Sequence, residues 1–342
     1  MNQFNIFILS IAFILASVIT TSVIRYFSIK NNFLDIPNER SSHLAPIPKG
    51  GGISIIGTLI FTIVILFYYK MVASEFVISM TIGLVIVSVV ALVDDYKNLS
   101  PMIRVIIYII SAAFSLFMIG GLDSVSINNH SYNLSYIGYF LGVLFLVWLT
   151  NLYNFMDGTD GFAAIQTISV SIFCFFLFYL SNNVPFSIIM LCLTSTTIGF
   201  LYWNWSPAKI FMGDVGSCGI GFFFGLFSIY TERAEIISIT VWLIILSPFI
   251  GDATLTLLKR IINNEKWYEA HNSHAYQILH QSGLSHSRLA LNLLFINICL
   301  IWPLGYFAHT YQNLELFMLI LSYILIITIW LMIQIKNTAK SN

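Results

Sequence analysis

Asn151-Leu152-Tyr153-Asn154-Phe155-Met156-Asp157-Gly158-Thr159-Asp160-Gly161 lies between two long apolar runs, 138–156 and 162–181. Each run approaches the roughly 20 residues that a helix needs to cross a bilayer. The string between them therefore sits at or near membrane depth. An amide or carboxylate there costs several kcal/mol unless it is paired or lines a wet cavity. Four such side chains within ten positions, Asn151, Asn154, Asp157 and Asp160, point to a working site rather than to packing.

The same alternation of apolar runs and short polar breaks extends in both directions. Of the 342 residues 58% are hydrophobic and 9% charged, against about 25% charged in soluble domains. The chain reads as an all-α polytopic membrane protein, one integral-membrane unit over 1–342. Candidate spans fall at 3–28, 51–69, 76–93, 101–121, 138–156, 162–181, 185–204, 216–231, 235–258, 289–308 and 314–335, about eleven helices. The first run has no basic residue before Arg25, so it reads as a retained helix rather than a cleaved signal.

The zero formal net charge conceals an asymmetry. Thirteen of the fifteen Lys and Arg fall on alternate loops, and only Lys70 and Arg233 fall on the others. Positive residues favour the cytoplasm, which places the N-terminus outside and the C-terminus inside. Cys174, Cys192, Cys218 and Cys299 form no C-x-x-C pair, so neither a zinc site nor a disulfide is indicated.

Besides the opening string, four polar segments are predicted on that same face. They are Asn38 to His43 running on to Pro48-Lys49-Gly50-Gly51-Gly52, Asp94-Asp95-Tyr96-Lys97, Phe211-Met212-Gly213-Asp214-Val215-Gly216-Ser217, and 259–288. Their shared face lets them converge, and convergent loops on a rigid scaffold carry chemistry.

Asp94 and Asp95 end an apolar helix, where a carboxylate opposes the helix dipole. Their side chains diverge by about 100°, so one of the two is expected to face the site. Asn151 and Asn154 share a helix face. Interhelical bonding explains one such Asn, but not two together with Asp157 and Asp160. Asp214 is the part of its segment that tight glycine packing leaves unexplained. Asp252 reads either as a structural partner or as a working group. His271 and His274 suit phosphate or sugar binding better than metal binding, whereas His280 and His286 read as ordinary solvated histidines.

Taken together, these motifs resemble the polyprenyl-phosphate N-acetylhexosamine-1-phosphate transferases of the MraY/WecA type, from residue 35 to residue 290. The resemblance implies ten or eleven helices with a cytoplasmic active site in a bacterial inner membrane. It implies transfer of a sugar 1-phosphate from a UDP-N-acetylhexosamine to undecaprenyl phosphate, with release of UMP and with Mg²⁺, or Mn²⁺, as cofactor. Carried over by motif, Asn154 and Asp214 would hold the metal and Asp160 would meet the uridine. Asp94 or Asp95 would face the lipid phosphate, and His271 and His274 would lie near the diphosphate or sugar. The His271-Asn272-Ser273-His274 variant is most similar to the WbpL-like branch, which initiates O-antigen or lipopolysaccharide outer-core synthesis.

The chemistry agrees with these residue types. Joining two phosphates requires their repulsion to be screened, which a hard cation on oxygen ligands does. Phosphoryl transfer then depends mainly on positioning and charge stabilisation. Asp94, Asp95, Asp157 and Asp214 are the catalytic candidates, and Asn151, Lys49 and Lys97 are expected to help hold anionic substrate. No nucleic-acid partner is indicated, and homodimerisation is left open. The rival reading is a secondary transporter that uses the same carboxylates, although transporters gather such groups at mid-membrane in paired repeats.

Overall fold

The computed structural model describes residues 3–37, 45–266 and 271–341. Asn38 to His43, one of the polar segments singled out above, lies outside the described residues, as does 267–270 within the long histidine loop. The chain opens with α1 (Gln3–Lys30), then a two-residue antiparallel pair, β1 (Leu34–Asp35) and β2 (Ile47–Pro48). There follow α2 (Gly52–Tyr68), α3 (Ser74–Lys97) and α4 (Pro101–Ile119). A hairpin, β3 (Ser124–Ile127) and β4 (His130–Asn133), leads into α5 (Ser135–Phe155), α6 (Phe162–Leu180), α7 (Val184–Asn204) and α8 (Asp214–Arg233). The remainder is α9 (Ile239–Ile245), α10 (Ser247–Ile262), α11 (Ala275–Gln281), α12 (His286–Ile296), α13 (Trp302–Thr310) and α14 (Glu315–Ser341).

Among the described residues nine helices are long and apolar enough to cross a membrane, and ten if α9 and α10 together make one. The expected span 51–69 is the 17-residue helix α2, shorter than those nine. The expected straight span 235–258 is instead broken, with α9 and α10 meeting at 75°. Pro248, in the first turn of α10, has no N–H with which to continue the preceding helix. The connection at 123–136 is the β3–β4 hairpin, turned by Asn128 and Asn129 at φ 52° and 65°.

Helix boundaries follow local chemistry. Ser100 accepts the Ile103 amide ahead of Pro101 at the start of α4, and Gly120 at φ 85° ends it. Asn183 caps α7 in the same way, accepting from the Phe186 amide.

Helix α8 is the axle of the bundle. Its most apolar stretch is 89% buried, against 11% for α1 at the periphery. Leaving lipid for protein gains no hydrophobic free energy, so helices associate through close packing and interhelical hydrogen bonds. A Cβ on Gly52 would stand 2.2 Å from the Gly216 Cα, and one on Gly221 would stand 2.4 Å from the Leu149 carbonyl oxygen. These glycines therefore press α8 against α2 and α5. Phe222, Phe223, Phe224 and Phe227 fill the space around α8, each at most 1% exposed. Polar bridges tie the outer helices, such as Ser111 Oγ to the Gly83 carbonyl (3.1 Å) and Asn297 Nδ2 to Gln166 Oε1 (2.7 Å). Bonds of this kind contribute about 0.6–2 kcal/mol each within a membrane.

The end of the bundle away from the glycine loops is closed by charge. Glu232 accepts the Ser126 and Ile239 amides at 2.7 and 2.6 Å, and Arg233 pairs with Asp123 at 2.7 Å. Arg233, one of the two cations on the minority face, is thereby accounted for as a latch on the hairpin.

Candidate active site

Backbone pairing assembles the other end. Phe211 N donates to the Pro48 carbonyl (2.8 Å), Gly51 N to Phe211 O (2.9 Å) and Gly52 N to Met212 O (2.9 Å). This clamp sets the start of α2 beside the start of α8, and Gly213 at φ +73° turns the chain so that Asp214 opens α8. The C-termini of α3 and α5 and the N-terminus of α4 complete the ring, so Lys49, Asp94, Asp95, Arg104, Asn154 and Asp214 meet there.

Only one of Asp94 and Asp95 was expected to face the site; in the fold both border the Asp214 corner, Asp95 directly and Asp94 through Arg104. Asp94 Oδ2 pairs with Arg104 Nη1 at 2.5 Å, and its Oδ1 accepts the Leu99 amide at 2.7 Å. Arg104 Nη1 also reaches Asp214 Oδ2 at 3.7 Å. Asp95 Oδ2 accepts the Asp214 amide at 3.1 Å, and its Oδ1 lies 3.4 Å from Lys49 Nζ. The side chains diverge as a helix requires, but Asp214 sits in the fork between them.

Lys49 also approaches Asp35 at 3.4 Å. Burial lowers its pKa, but Asp95, Asp35 and Asp214 together outweigh that and hold it above the ordinary lysine value, so it is a permanent cation. Lys97 does not join the cluster. It is exposed on the last turn of α3, and Arg104, read from the sequence only as a loop charge, stands where that counter-charge was expected.

Asn154 hydrogen-bonds Asp214 and donates from Nδ2 to Cys218 Sγ at 3.2 Å. Tyr108 Oη donates to the same sulfur at 3.4 Å. Sulfur and carboxylate are both acceptors, so the amide nitrogen faces them and Oδ1 is left for another electrophile. Asn151 is one turn back and spends its Nδ2 on the Val147 carbonyl, 2.7 Å away.

Asp157 is half-buried just beyond α5. Burial, then the charges of Asp214, Asp95 and Asp160, push its pKa well above the usual carboxylate range. Among the described residues no hydrogen bond or ion pair reaches its carboxylate. Among the described residues four carboxylates, Asp94, Asp95, Asp157 and Asp214, thus gather beside two cations, Lys49 and Arg104, the first of which is shared with Asp35. That excess of negative charge around hard oxygen donors fits one divalent cation. Among the described residues no three His, Cys, Asp or Glu side chains are grouped tightly enough to hold an ion by themselves. One or two protein ligands completed by substrate phosphate is the ordinary arrangement for Mg²⁺.

Asp160 lies at a separate corner, buried to 8% exposure. Burial raises its pKa, but His286 and the Ala208 amide, which it accepts at 3.2 Å, bring it below the ordinary value. The histidine loop docks on the opening string through Tyr276, whose Oη donates to the Phe155 carbonyl at 2.9 Å. A Cβ on Gly158 would stand 2.2 Å from that oxygen, so Gly158 makes room for the contact. Asp252 accepts the Ala275 and Tyr276 amides at 2.8 and 3.3 Å and so braces the start of α11. His274 is buried beside Asp252, and the His271 ring lies 4.8 Å from the His274 ring. Burial, His274 and Arg260 outweigh Asp252 and hold His271 at about 4, neutral at pH 7.

Three partners escaped the sequence reading: Arg104, Cys218 and His286. Arg104 had a signal available, since it lies one helical hairpin after Asp94-Asp95 and four residues beyond Ser100, which starts its helix. Cys218 had only its spacing from Asp214, one turn along α8.

The description "Glycosyl transferase family 4" matches residues 77–232. A probable undecaprenyl-phosphate N-acetylglucosaminyl 1-phosphate transferase of Bacillus subtilis (strain 168) is 28% identical over 303 residues, 86% of this chain and 82% of the relative. A phospho-N-acetylmuramoyl-pentapeptide-transferase of Streptococcus pneumoniae serotype 2 is 28% identical over 189 residues, 51% of this chain and 56% of the relative. One from Orientia tsutsugamushi (strain Ikeda) is 26% identical over 249 residues, 62% and 68% respectively. The chain thus spans about half the length of the pneumococcal relative and most of the Bacillus one. The glycine clamp, the paired aspartates and the Asn154–Asp214 contact thus lie at one end of a helical membrane bundle whose residues 77–232 match glycosyl transferase family 4, and the chain is similar over most of its length to a polyprenyl-phosphate hexosamine-1-phosphate transferase.

Proposed function

We propose that this multi-pass bacterial inner-membrane enzyme transfers N-acetylhexosamine 1-phosphate from a UDP-N-acetylhexosamine to undecaprenyl phosphate, releasing UMP. The observation that carries the reading is the Asp214 corner, where four carboxylates and two cations from five separated segments meet. Mg²⁺, or Mn²⁺ in its place, would be held there by Asp214 and the Asn154 Oδ1, and when bound it supplies charge neutralisation to the diphosphate. Lys49 and Arg104 hold anionic oxygens at either side. A phosphate monoester is mostly dianionic at pH 7, so Asp94 and Asp95 act less by acidity than by orienting these cations and steering a remaining proton. Asp160 would meet the uridine, and the His271–His274 loop, fixed by Asp252 and Tyr276, would border the diphosphate or sugar.

The site is proposed to face the cytoplasm. The N-terminus is then outside and the C-terminus inside, supported by the thirteen-to-two distribution of Lys and Arg. In a cysteine-free background, single cysteines at 124–133 should label from outside intact cells, and those beside Asp214 should not. Outside labelling next to Asp214 would invert the topology. The product is proposed to initiate O-antigen, lipopolysaccharide or a related envelope polysaccharide, on the likeness of the histidine loop to that branch. Homodimerisation would be compatible with this activity.

The transporter reading draws no support from the relatives, and the carboxylates crowd one end of the bundle rather than its middle. Chromatography of the nucleotide released in detergent tests the assignment, because phosphoglycosyl transfer and ordinary glycosyl transfer cut a UDP-sugar at different bonds. UMP is expected, together with reversal of the reaction by added UMP, since one diphosphate linkage replaces another. Release of UDP instead, or of no nucleotide with any UDP-sugar, refutes the function while leaving the fold intact.

A further inference from the structure

Asp160, His286 and His280 form a connected chain at the edge of the site. Asp160 Oδ2 lies 3.1 Å from His286 Nδ1, His286 Nε2 lies 3.3 Å from His280 Nε2, and His280 Nδ1 lies 3.0 Å from the Leu284 carbonyl oxygen. Asp160 and His286 are each 8% exposed. Neither histidine contacts the Asp214 cluster, so the chain is separate from the residues assigned there.

With His286 Nδ1 donating to Asp160, a proton count gives the charge of the chain wherever the proton between the two rings sits. The Leu284 oxygen accepts only, so His280 Nδ1 carries a proton. The contact between the two Nε2 atoms needs a second. The contact between Nδ1 and the carboxylate needs a third, or two lone pairs would oppose each other at 3.1 Å. Two neutral imidazoles carry only two protons. The chain therefore holds one proton more than neutral histidines supply, and with Asp160 ionised its net charge is zero. The Asp160 amide also points at His286 Nδ1 from 3.3 Å and would suit a bare lone pair there. The contact to the carboxylate is the shorter of the two, and a hydrogen bond between ionised partners is about twice as strong as a neutral one.

We infer that His286, backed by His280, is a positioning residue: its ring holds the Asp160 carboxylate in one orientation for the nucleoside of the UDP-sugar. The inference rests on the proposed function, which has Asp160 meeting the uridine. The depressed pKa of Asp160 agrees with an ionised carboxylate beside a cation. The Ala208 amide fixes the same oxygen from the α7–α8 connection. His286 opens α12, so the length of chain between α11 and α12 sets the geometry of the nucleoside corner from outside it.

The test is steady-state kinetics of the full-length protein in detergent with UDP-N-acetylglucosamine and undecaprenyl phosphate, reading released UMP. His286→Ala should raise KM for the UDP-sugar about tenfold and leave kcat and the KM for the lipid within about twofold. His286→Asn presents an amide donor close to the position of Nδ1 and should recover most of the loss. His280→Ala should give a smaller rise in the same constant. The effects of His286→Ala and Asp160→Asn should not add in the double variant, because the two act as one unit. An unmoved KM in folded His286→Ala overturns the inference, and so do additive effects or a fall confined to kcat. If His286→Ala fails to fold, His280→Ala alone and combined with Asp160→Asn carries the comparison, and an unmoved KM in folded His280→Ala, or additive effects in the double variant, overturn it. Wild-type protein that releases no UMP would remove the underlying function, whereas normal wild-type turnover with unmoved constants removes this inference alone.

Discussion

Asp214→Asn is expected to lower kcat by about a thousandfold, the loss of several kcal/mol of charge stabilisation, while the protein stays folded. Neutralising Asp214 keeps its shape, its amide bond to Asp95 and its contact with Asn154. It removes a negative charge from a corner that, among the described residues, already holds Asp94, Asp95 and Asp157 against Lys49 and Arg104 alone. Repulsion falls, so the thermal midpoint of the purified variant should equal or exceed that of the wild type. Reduced turnover accompanied by unchanged or raised stability is the signature of a group retained for chemistry at the expense of electrostatics. Raising Mg²⁺ should recover part of the rate, because the site has lost a ligand rather than its geometry. Turnover near wild type with an unaltered Mg²⁺ requirement would remove Asp214 from the metal site, and a lowered midpoint would show that its charge serves the fold.

How much of this was readable from the chain depends on which physical signal each element leaves. The helices α3 to α8 announce themselves because lipid tolerates no unpaired backbone, so apolar length alone identifies them. The candidate site was legible for the complementary reason, since Asn154, Asp157, Asp160 and Asp214 are costly in such a chain unless they have work to do. Lone features without that cost were misread. Arg104 looks like any positive residue beside a membrane, and only the fold shows that it turns inward onto Asp94. His286 looks solvated because its partner is 126 residues away. The 75° break before α10 was announced by Pro248, yet hydropathy averaged across it saw one span. Asp252 could not be resolved from sequence because a helix-capping carboxylate and a working one are the same side chain. The amides of Ala275 and Tyr276 decide between them.

Replacing Arg104 tests the opposite side of the balance. Among the described residues Arg104 is the one cation that touches both Asp94 and Asp214, at 2.5 and 3.7 Å, and its side chain is 30% exposed while that of Asp94 is 9% exposed. Removing one partner of a buried ion pair costs about 3–5 kcal/mol because the other charge is left uncompensated. Solvent reaching the guanidinium screens part of this, so about 1–3 kcal/mol is the expected loss for Arg104→Met. Activity should fall about a hundredfold or more, since the variant also loses a fixed donor for a phosphate oxygen. Arg104→Lys should restore much of the stability but less of the rate, because a point charge cannot match the planar fork that spans two carboxylates. The double variant Arg104→Met with Asp94→Asn should regain the wild-type midpoint, as the stranded carboxylate is gone, yet remain as slow as Arg104→Met alone. Both quantities come from the same preparations, by thermal melting in detergent and by UMP release. An Arg104→Met protein with wild-type midpoint and turnover would show that the ion pair is a surface ornament. A double variant that recovers its rate along with its stability would show that Arg104 acts only by holding Asp94 in place.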